Sequence, residues 1–254
     1  MEPKGYQNIW KREESLESLN KRLHDGVPIE KLYERAIGYR DAMFERFFPY
    51  AKPSDNDRVM ELGSGVGWIM QAMIEKYPNL SEIIGLDISE NMIKRAQERW
   101  QHTKAKYVLY DGNKIPFADK EISIIYSVAA IQHIDKNIAF LIFKEIYRVL
   151  SIGGHAVLHF LSVHHIPKNQ ISYEEECRNH INNNTDTHWH HFYSFDELYV
   201  LFSEVLGVSD FDARYDNNSI FIHFSKGTGR KFKNESLKSL IDPEKLKVGY
   251  ENIS

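Results

Sequence analysis

Arg58–Met73, RVMELGSGVGWIMQAM, is the stretch that decides the fold of this chain. Val59, Met60 and Leu62 form a short apolar run of the kind that makes a buried strand. Gly63, Gly65 and Gly67 interrupt it, and Trp68, Ile69 and Ala72 then recur at helical spacing. A strand, a glycine turn and a helix in that order form a nucleotide-binding corner, because glycine permits a tight turn and a close approach that a Cβ would block. The spacing is G-x-G-x-G, not the dinucleotide G-x-G-x-x-G, and Glu61 stands just before the first glycine. A carboxylate there repels a pyrophosphate and suits a ligand carrying positive charge, such as an ammonium or a sulfonium. About twenty residues beyond the glycines, IIGLDIS is a second apolar strand ending in Asp87, where such folds place an acid to accept from ribose hydroxyls.

Outward from this corner the pattern alternates strand and helix. Strands are expected near 58–62, 82–87, 106–110, 122–128 and 154–161, and helices near 66–77, 89–101 and 136–150. That alternation predicts a parallel sheet with helices on both faces. Ser89 reads as an N-cap ahead of Met92, Ile93 and Ala96, and Gly153 and Gly154 read as the end of the last of these helices.

Before the core, residues 13–53 read as two or three helices, with stripes at Leu16, Leu19, Leu23 and at Ile29, Leu32, Tyr33, Ala36, Ile37. They either pack on the sheet or form a lid for which Tyr6, Trp10, Tyr39 and Arg40 are suitable closing residues. After Phe160 a polar, histidine-rich segment (residues 162–194) is long for a connection. It is a functional cover or a disordered excursion. Ser194 with Glu197 forms a capping box for a helix reaching Leu206, and VSDFDARYDNNSIFIHFSK reads as two strands joined by a tight turn. The tail, residues 227–254, reads as a solvated appendage.

The chain has 254 residues, 42% of them hydrophobic and 27% charged, with a formal net charge of −4. This composition is globular, and one domain is the expected organisation: helical lid 1–53, cofactor-binding core 57–161, cover 162–194, helix and hairpin 195–226, tail. The acidic balance argues against a nucleic-acid partner. A single cysteine, Cys177, excludes an internal disulfide and a cysteine metal cluster. With no apolar leader and no membrane-length run, the expectation is a cytoplasmic protein without a membrane partner.

These residues resemble the class I S-adenosylmethionine-dependent methyltransferases, of the UbiE-like small-molecule kind. YDGNKIPFADKEISIIYS resembles the family's third and fourth motifs, and EIYRVLSIGGHAVL the helix and strand after them, so the likeness runs from about Asp57 to Phe160. The resemblance implies an α/β Rossmann-like fold, a seven-stranded mixed sheet ending in an antiparallel hairpin. It implies S-adenosyl-L-methionine as cofactor, S-adenosyl-L-homocysteine as product, and a small-molecule acceptor methylated at a hydroxyl oxygen. N-methylation of a small amine is the alternative within this chemistry. A non-catalytic S-adenosylmethionine-binding sensor or partner subunit is the alternative outside it.

By the family's pattern Glu61 lies near the methionine ammonium, and Gly63, Ser64, Gly65 and Gly67 shape the methionine pocket. Asp87 takes the ribose, with Ile88 and Met92 against the adenine. Asp111, with Gly112 beside it, accepts from the adenine amino group or else is a plain turn residue. Ser127 and Val128, at the end of the fourth strand, are further candidate cofactor-binding residues. His133, in YSVAAIQHID, is the candidate base; the segment is similar to that of phosphoethanolamine methyltransferases, where a histidine works with an N-terminal tyrosine, here Tyr6. Trp10, Tyr39, Arg40, Trp68, His164, His190 and Tyr193 are candidate substrate contacts. Among His164, His165, His188, His190 and His191 no carboxylate stands at recognisable ligand spacing, so no metal is expected. The family's usual acid in the fourth strand is replaced by Ser123, and Val128 and Ala129 stand where the phosphobase enzymes carry charges. Both substitutions weaken the case for a cationic amine substrate.

Overall fold

In a computed structural model the chain is described at residue 10 and over 13–24, 26–181, 190–208, 210–216 and 218–227. Tyr6, His188 and all but the first residue of the tail lie outside the described residues. Two helices, α1 (Leu16–His24) and α2 (Ile29–Asp41), precede the sheet, and α2 runs on through a π-helical turn, Ala42–Phe47. The core then alternates: β1 (Arg58–Leu62), α3 (Trp68–Lys76), β2 (Glu82–Asp87), α4 (Glu90–Arg99), β3 (Ala105–Leu109), β4 (Ile122–Ser127), α5 (Lys136–Val149) and β5 (Leu150–Ser162). The long connection is itself structured, with a 3-10 segment (Val163–Asn169) and a helix, α6 (Gln170–Ile181). A two-residue strand β6 (Phe192–Tyr193), helix α7 (Phe195–Tyr199) and the hairpin β7 (Asp210–Asp216) and β8 (Ser219–Ser225) complete the described chain.

The strands lie in the order β3-β2-β1-β4-β5-β8-β7, with β6 added beside β5. The run from β3 to β5 is parallel, and β8 is antiparallel to both β5 and β7. This is the mixed sheet expected, with one short extra strand. The apolar runs of β1 and β4 are buried on both faces, as central parallel strands require. Strand order reverses between β1 and β4, and the crevice at their C-terminal ends is where an open sheet of this kind takes a ligand.

Each face has its own core. On one side α2, the π-helical turn and α3 bury Met43, Phe44, Phe48, Met70 and Met73 against Tyr126. On the other, α5, α7 and the hairpin bury Phe143, Phe160, Phe202 and Phe224. Burying one such side chain stabilises by about 1.5–3 kcal/mol, so the stripes in the sequence decide which helix face turns inward.

Two local expectations are corrected. Helix α5 ends at Val149, and Gly153 and Gly154 lie inside β5. There they form a bulge: β5 slips against β4 between the Ile122 and Ile124 pairings, Gly153 has φ +80, and a Cβ on Gly154 would come within 2.6 Å of the Ser123 carbonyl. The Ser194 cap forms, its Oγ accepting the Glu197 N–H at 3.1 Å, but the Glu197 carboxylate turns to Lys136 Nζ at 2.8 Å. The helix then loosens into a π-helical turn after Tyr199.

Candidate functional site

A cavity of about 510 Å³ opens at the reversal of strand order. Its floor is the corner after β1. Gly63 donates to the Leu86 carbonyl at 2.8 Å, and a Cβ there would lie 2.3 Å from the Ala130 Cβ, so packing against the β4 loop requires glycine. Gly65 differs. It lines the cavity at φ +51 with no protein atom within 4 Å of its would-be Cβ, leaving the space open for a ligand.

Asp87, at the end of β2, is nearly fully buried and accepts from Gly65 N at 2.8 Å and Ser89 N at 2.9 Å. One carboxylate therefore ties the glycine loop to the start of α4. Burial pushes its pKa up while these N–H groups pull it back. Glu61 is buried at the same end and accepts from the Tyr126 hydroxyl at 3.1 Å. Burial raises its pKa to about 8, opposed by Tyr126 and by the Met70 N–H. Behind the loop Arg99 donates to the carbonyls of Val66 and Gly67 at 2.9 Å and to Gln71 Oε1 at 2.8 Å, and stacks 3.8 Å over Trp68.

The loop after β4 supplies the facing wall: Val128, Ala129, Ala130, Gln132 and His133. His133 is half-buried on a 3-10 turn, with the Trp10 ring 5.3 Å and the His190 ring 4.9 Å from its own. His190 reaches the cavity from the far end of the cover segment, and its Nδ1 lies 2.7 Å from Glu176 Oε1 on α6. Trp10 is held by its carbonyl, which accepts from Ser89 Oγ, while that same hydroxyl caps α4 by accepting Met92 N–H at 3.2 Å. Helices α1 and α2 form the remaining wall, through residues including Leu16, Leu19, Leu32, Arg35 and Tyr39.

Of the residues singled out in the sequence, Trp10, Tyr39, Glu61, Gly63, Ser64, Gly65, Trp68, Asp87, Ile88, Met92, Val128, His133 and His190 line this cavity. Others are placed elsewhere. Arg40 turns away, donating to the Ala72 carbonyl at 2.9 Å and pairing with Asp41 at 2.8 Å, so it docks α2 on α3. Tyr193 is buried in the aromatic core against Phe160, and His164 is exposed. Ser127 donates to the Leu62 carbonyl at 2.8 Å, which ties β4 to β1. Gly67 caps α3 at φ +78 behind the cavity. Asp111 is exposed and accepts from Asn113 and Lys114 N–H, closing its own turn with buried Gly112, and the neighbouring Tyr110 lines the cavity instead.

Sequence reading passed over Arg35, Arg99, Tyr110, Tyr126, Gln132, His159 and Glu176. Only Tyr126 carried a local signal, an aromatic hydroxyl following the isoleucines of β4, which the structure pairs with Glu61.

The residues present fit S-adenosyl-L-methionine. The cavity falls within the range of about 300–1,000 Å³ usual for small-molecule sites. Ser64 Oγ is buried at the loop without a hydrogen-bond partner among the described residues, a polar atom left for a ligand. A buried carboxylate at Glu61 suits the ammonium. Among the described residues no cluster of three or more His, Cys, Asp or Glu side chains is arranged to hold a metal ion, and no helix is long and apolar enough to cross a membrane.

Comparison with known proteins converges on the same core. The profile of the methyltransferase domain family matches residues 59–154. The ubiquinone/menaquinone biosynthesis C-methyltransferase UbiE of Desulfotalea psychrophila is 30% identical over 147 residues, covering 53% of this chain and 58% of that protein. The malonyl-[acyl-carrier protein] O-methyltransferase of a Marinomonas species is 29% identical over 137 residues, covering 54% and 50%. The chain thus spans little more than half the length of these curated relatives. A solved structure from Methanococcus maripaludis, described as an S-adenosyl-L-methionine-dependent methyltransferase, superposes with a TM-score of 0.60 at 18% identity over 87% of this chain and 98% of that one. The likeness in fold extends well past the profile, which itself includes the glycine corner. Residues 59–154 thus carry a methyltransferase domain, on a fold shared with the class I S-adenosylmethionine-dependent methyltransferases, whose cofactor is S-adenosyl-L-methionine.

Proposed function

We propose that this protein transfers the methyl group of S-adenosyl-L-methionine to a hydroxyl oxygen of a small molecule. The observation that carries the reading is that one cavity is shared by the Asp87–Gly65 corner and by the His133–His190 pair. The cofactor supplies a methyl group already electrophilic on a sulfonium, so the chain's task is orientation, exclusion of water and removal of one proton.

Glu61 balances the ammonium, and Gly63, Ser64, Gly65 and Gly67 shape the loop that receives the methionine moiety. Asp87 retains lone pairs for the ribose hydroxyls while its two N–H bonds hold the loop in register. Ile88 and Met92 flank the adenine, with Tyr110 beside them. Trp10, α1 and α2 act as the lid. His133 takes the acceptor's proton on a ring nitrogen as the oxygen becomes a nucleophile. The Glu176 carboxylate holds the His190 ring beside that of His133, where it can pass the proton onward.

The experiment is incubation of the full chain with methyl-labelled S-adenosyl-L-methionine and a panel of hydroxylated and amine metabolites. The expected result is S-adenosyl-L-homocysteine release with label on oxygen. Label on nitrogen alone removes the hydroxyl part of the proposal. Cofactor binding with no transfer to any acceptor removes the enzymatic part.

A further inference from the structure

The wall built by α1 and α2 is largely apolar, with Leu16, Leu19, Ile29, Leu32 and Ala36 lining the cavity beside the polar Asn20 and His24. Arg35 stands on this wall and makes no hydrogen bond or ion pair among the described residues. Among the described residues it is the only lysine or arginine that lines the cavity. Tyr39 follows four residues later on the same helix face and also lines the cavity. Arg35 lies near enough to favour the ionised form of the Tyr39 hydroxyl, although burial holds that pKa up.

The neighbouring carboxylates have other partners. Asp216, which faces Tyr39 from β7, pairs with Arg46 at 2.6 Å. Glu61 and Asp87 lie at the nucleoside end, held by the Tyr126 hydroxyl and by backbone N–H groups. A lone guanidinium at the rim of a largely apolar cavity gives no advantage to a neutral ligand and repels a cationic one. For an anion it supplies a planar fork of donors at the exposed rim of a concave site.

We propose that this wall receives an acceptor with an apolar body and one organic anionic group, of the carboxylate or sulfonate class, seated on Arg35 with the Tyr39 hydroxyl beside it. This deepens the methyltransferase reading and rests on it: the anion anchors one end while the apolar wall carries the body of the acceptor toward His133. A cationic amine acceptor is disfavoured by the same guanidinium.

Decanoate and 1-decanol are suitable probes, since they share an alkyl chain and differ in charge. Each is titrated calorimetrically into the full chain saturated with S-adenosyl-L-homocysteine, at low salt. Decanoate should bind about fivefold more tightly than 1-decanol, the scale of one ion pair at a solvated rim, and the difference should shrink as salt rises. Arg35→Gln should abolish the preference and Arg35→Lys should keep most of it. Equal affinities in the parent, a preference that survives Arg35→Gln, or no binding of either probe would overturn the proposal. S-adenosyl-L-homocysteine titrated into the same samples reports the other end separately. Normal nucleoside binding with equal probe affinities overturns the anion site alone, and absent nucleoside binding overturns the reading beneath it and the proposal with it.

Discussion

The Nδ1 atom of His159 accepts the backbone N–H of Ala129 at 3.2 Å, across from β5 to the loop after β4. Ala129 sits at φ 53, in the left-handed region that a side chain disfavours, and its neighbour Ala130 packs where Gly63 has no Cβ. A buried imidazole thus fixes a strained turn, and that turn fixes the glycine corner. His159→Phe fills similar space but leaves the Ala129 N–H unpaired, a loss of about 1–3 kcal/mol. Urea unfolding at neutral pH is the measurement.

The same histidine predicts an acid-labile fold. Burial pushes its pKa down to about 4, and His223, buried beside His155, is pushed down to about 3. Below the ordinary histidine value of about 6.5 the unfolded chain binds protons that the folded one refuses, so stability falls as pH drops from there toward 4. For His159 alone the complete effect is about 3 kcal/mol. The stability of His159→Phe should change less between pH 7 and pH 5 than that of the parent. Equal slopes would remove His159 as the cause.

Glu61 predicts proton release on cofactor binding. Its pKa is raised to about 8 by burial, so below that pH the empty site holds it largely protonated. An ammonium placed beside it favours the carboxylate. Cofactor affinity should therefore rise with pH up to about 8, and the calorimetric enthalpy at pH 7 should vary with the ionisation enthalpy of the buffer. Glu61→Gln should bind more weakly and lose both dependences.

Substitutions at Asp87, Gly65 and Gly63 should divide differently between stability and binding. Asp87→Ala orphans the Gly65 and Ser89 N–H groups and removes the ribose acceptor, so it should lower the melting temperature and weaken cofactor binding by about 1.5–3 kcal/mol. Gly65→Val meets no protein atom but strains a backbone at φ +51, so it should cost affinity and stability together, whereas Gly63→Ala collides with Ala130 and should cost mainly stability. Calorimetry paired with thermal melting reads the two effects separately. Wild-type affinity in both Asp87→Ala and Gly65→Val would remove the cofactor assignment.

Once an acceptor is identified, His133→Ala should leave cofactor affinity unchanged while lowering the single-turnover rate by about 10²–10⁴-fold. Glu176→Gln weakens the hold on His190 without removing a ring, so its loss should be smaller. An unchanged chemical rate in folded His133→Ala would take that residue out of the mechanism.

The glycine corner, Asp87 and the strand alternation were legible in the sequence because each is local: the signal lies within a few residues of the structure it causes. The Gly153–Gly154 pair was misread because a helix stop and a strand bulge use the same residue, and only pairing with β4 distinguishes them. Arg99 and His159 were invisible for a different reason. Their partners lie 32 and 30 residues away, and nothing in the local pattern separates a surface arginine or a core histidine from one that shapes the site. Asp111 matched its motif, yet its carboxylate closes its own turn. Motif register predicts position on the chain, and side-chain direction depends on neighbours the motif does not contain.

The docking of α2 through Arg40 onto the Ala72 carbonyl has one more consequence. Among the described residues, and apart from His190, the wall opposite the nucleoside end comes from residues between 10 and 39, while the glycine corner and the β4 loop come from residues 61–134. Under the proposed reading the acceptor's body and the cofactor are thereby met mainly by different segments of one gene. A chimera that exchanges the leading segment, joined just after its arginine anchor, should inherit a new substrate range on an old reaction.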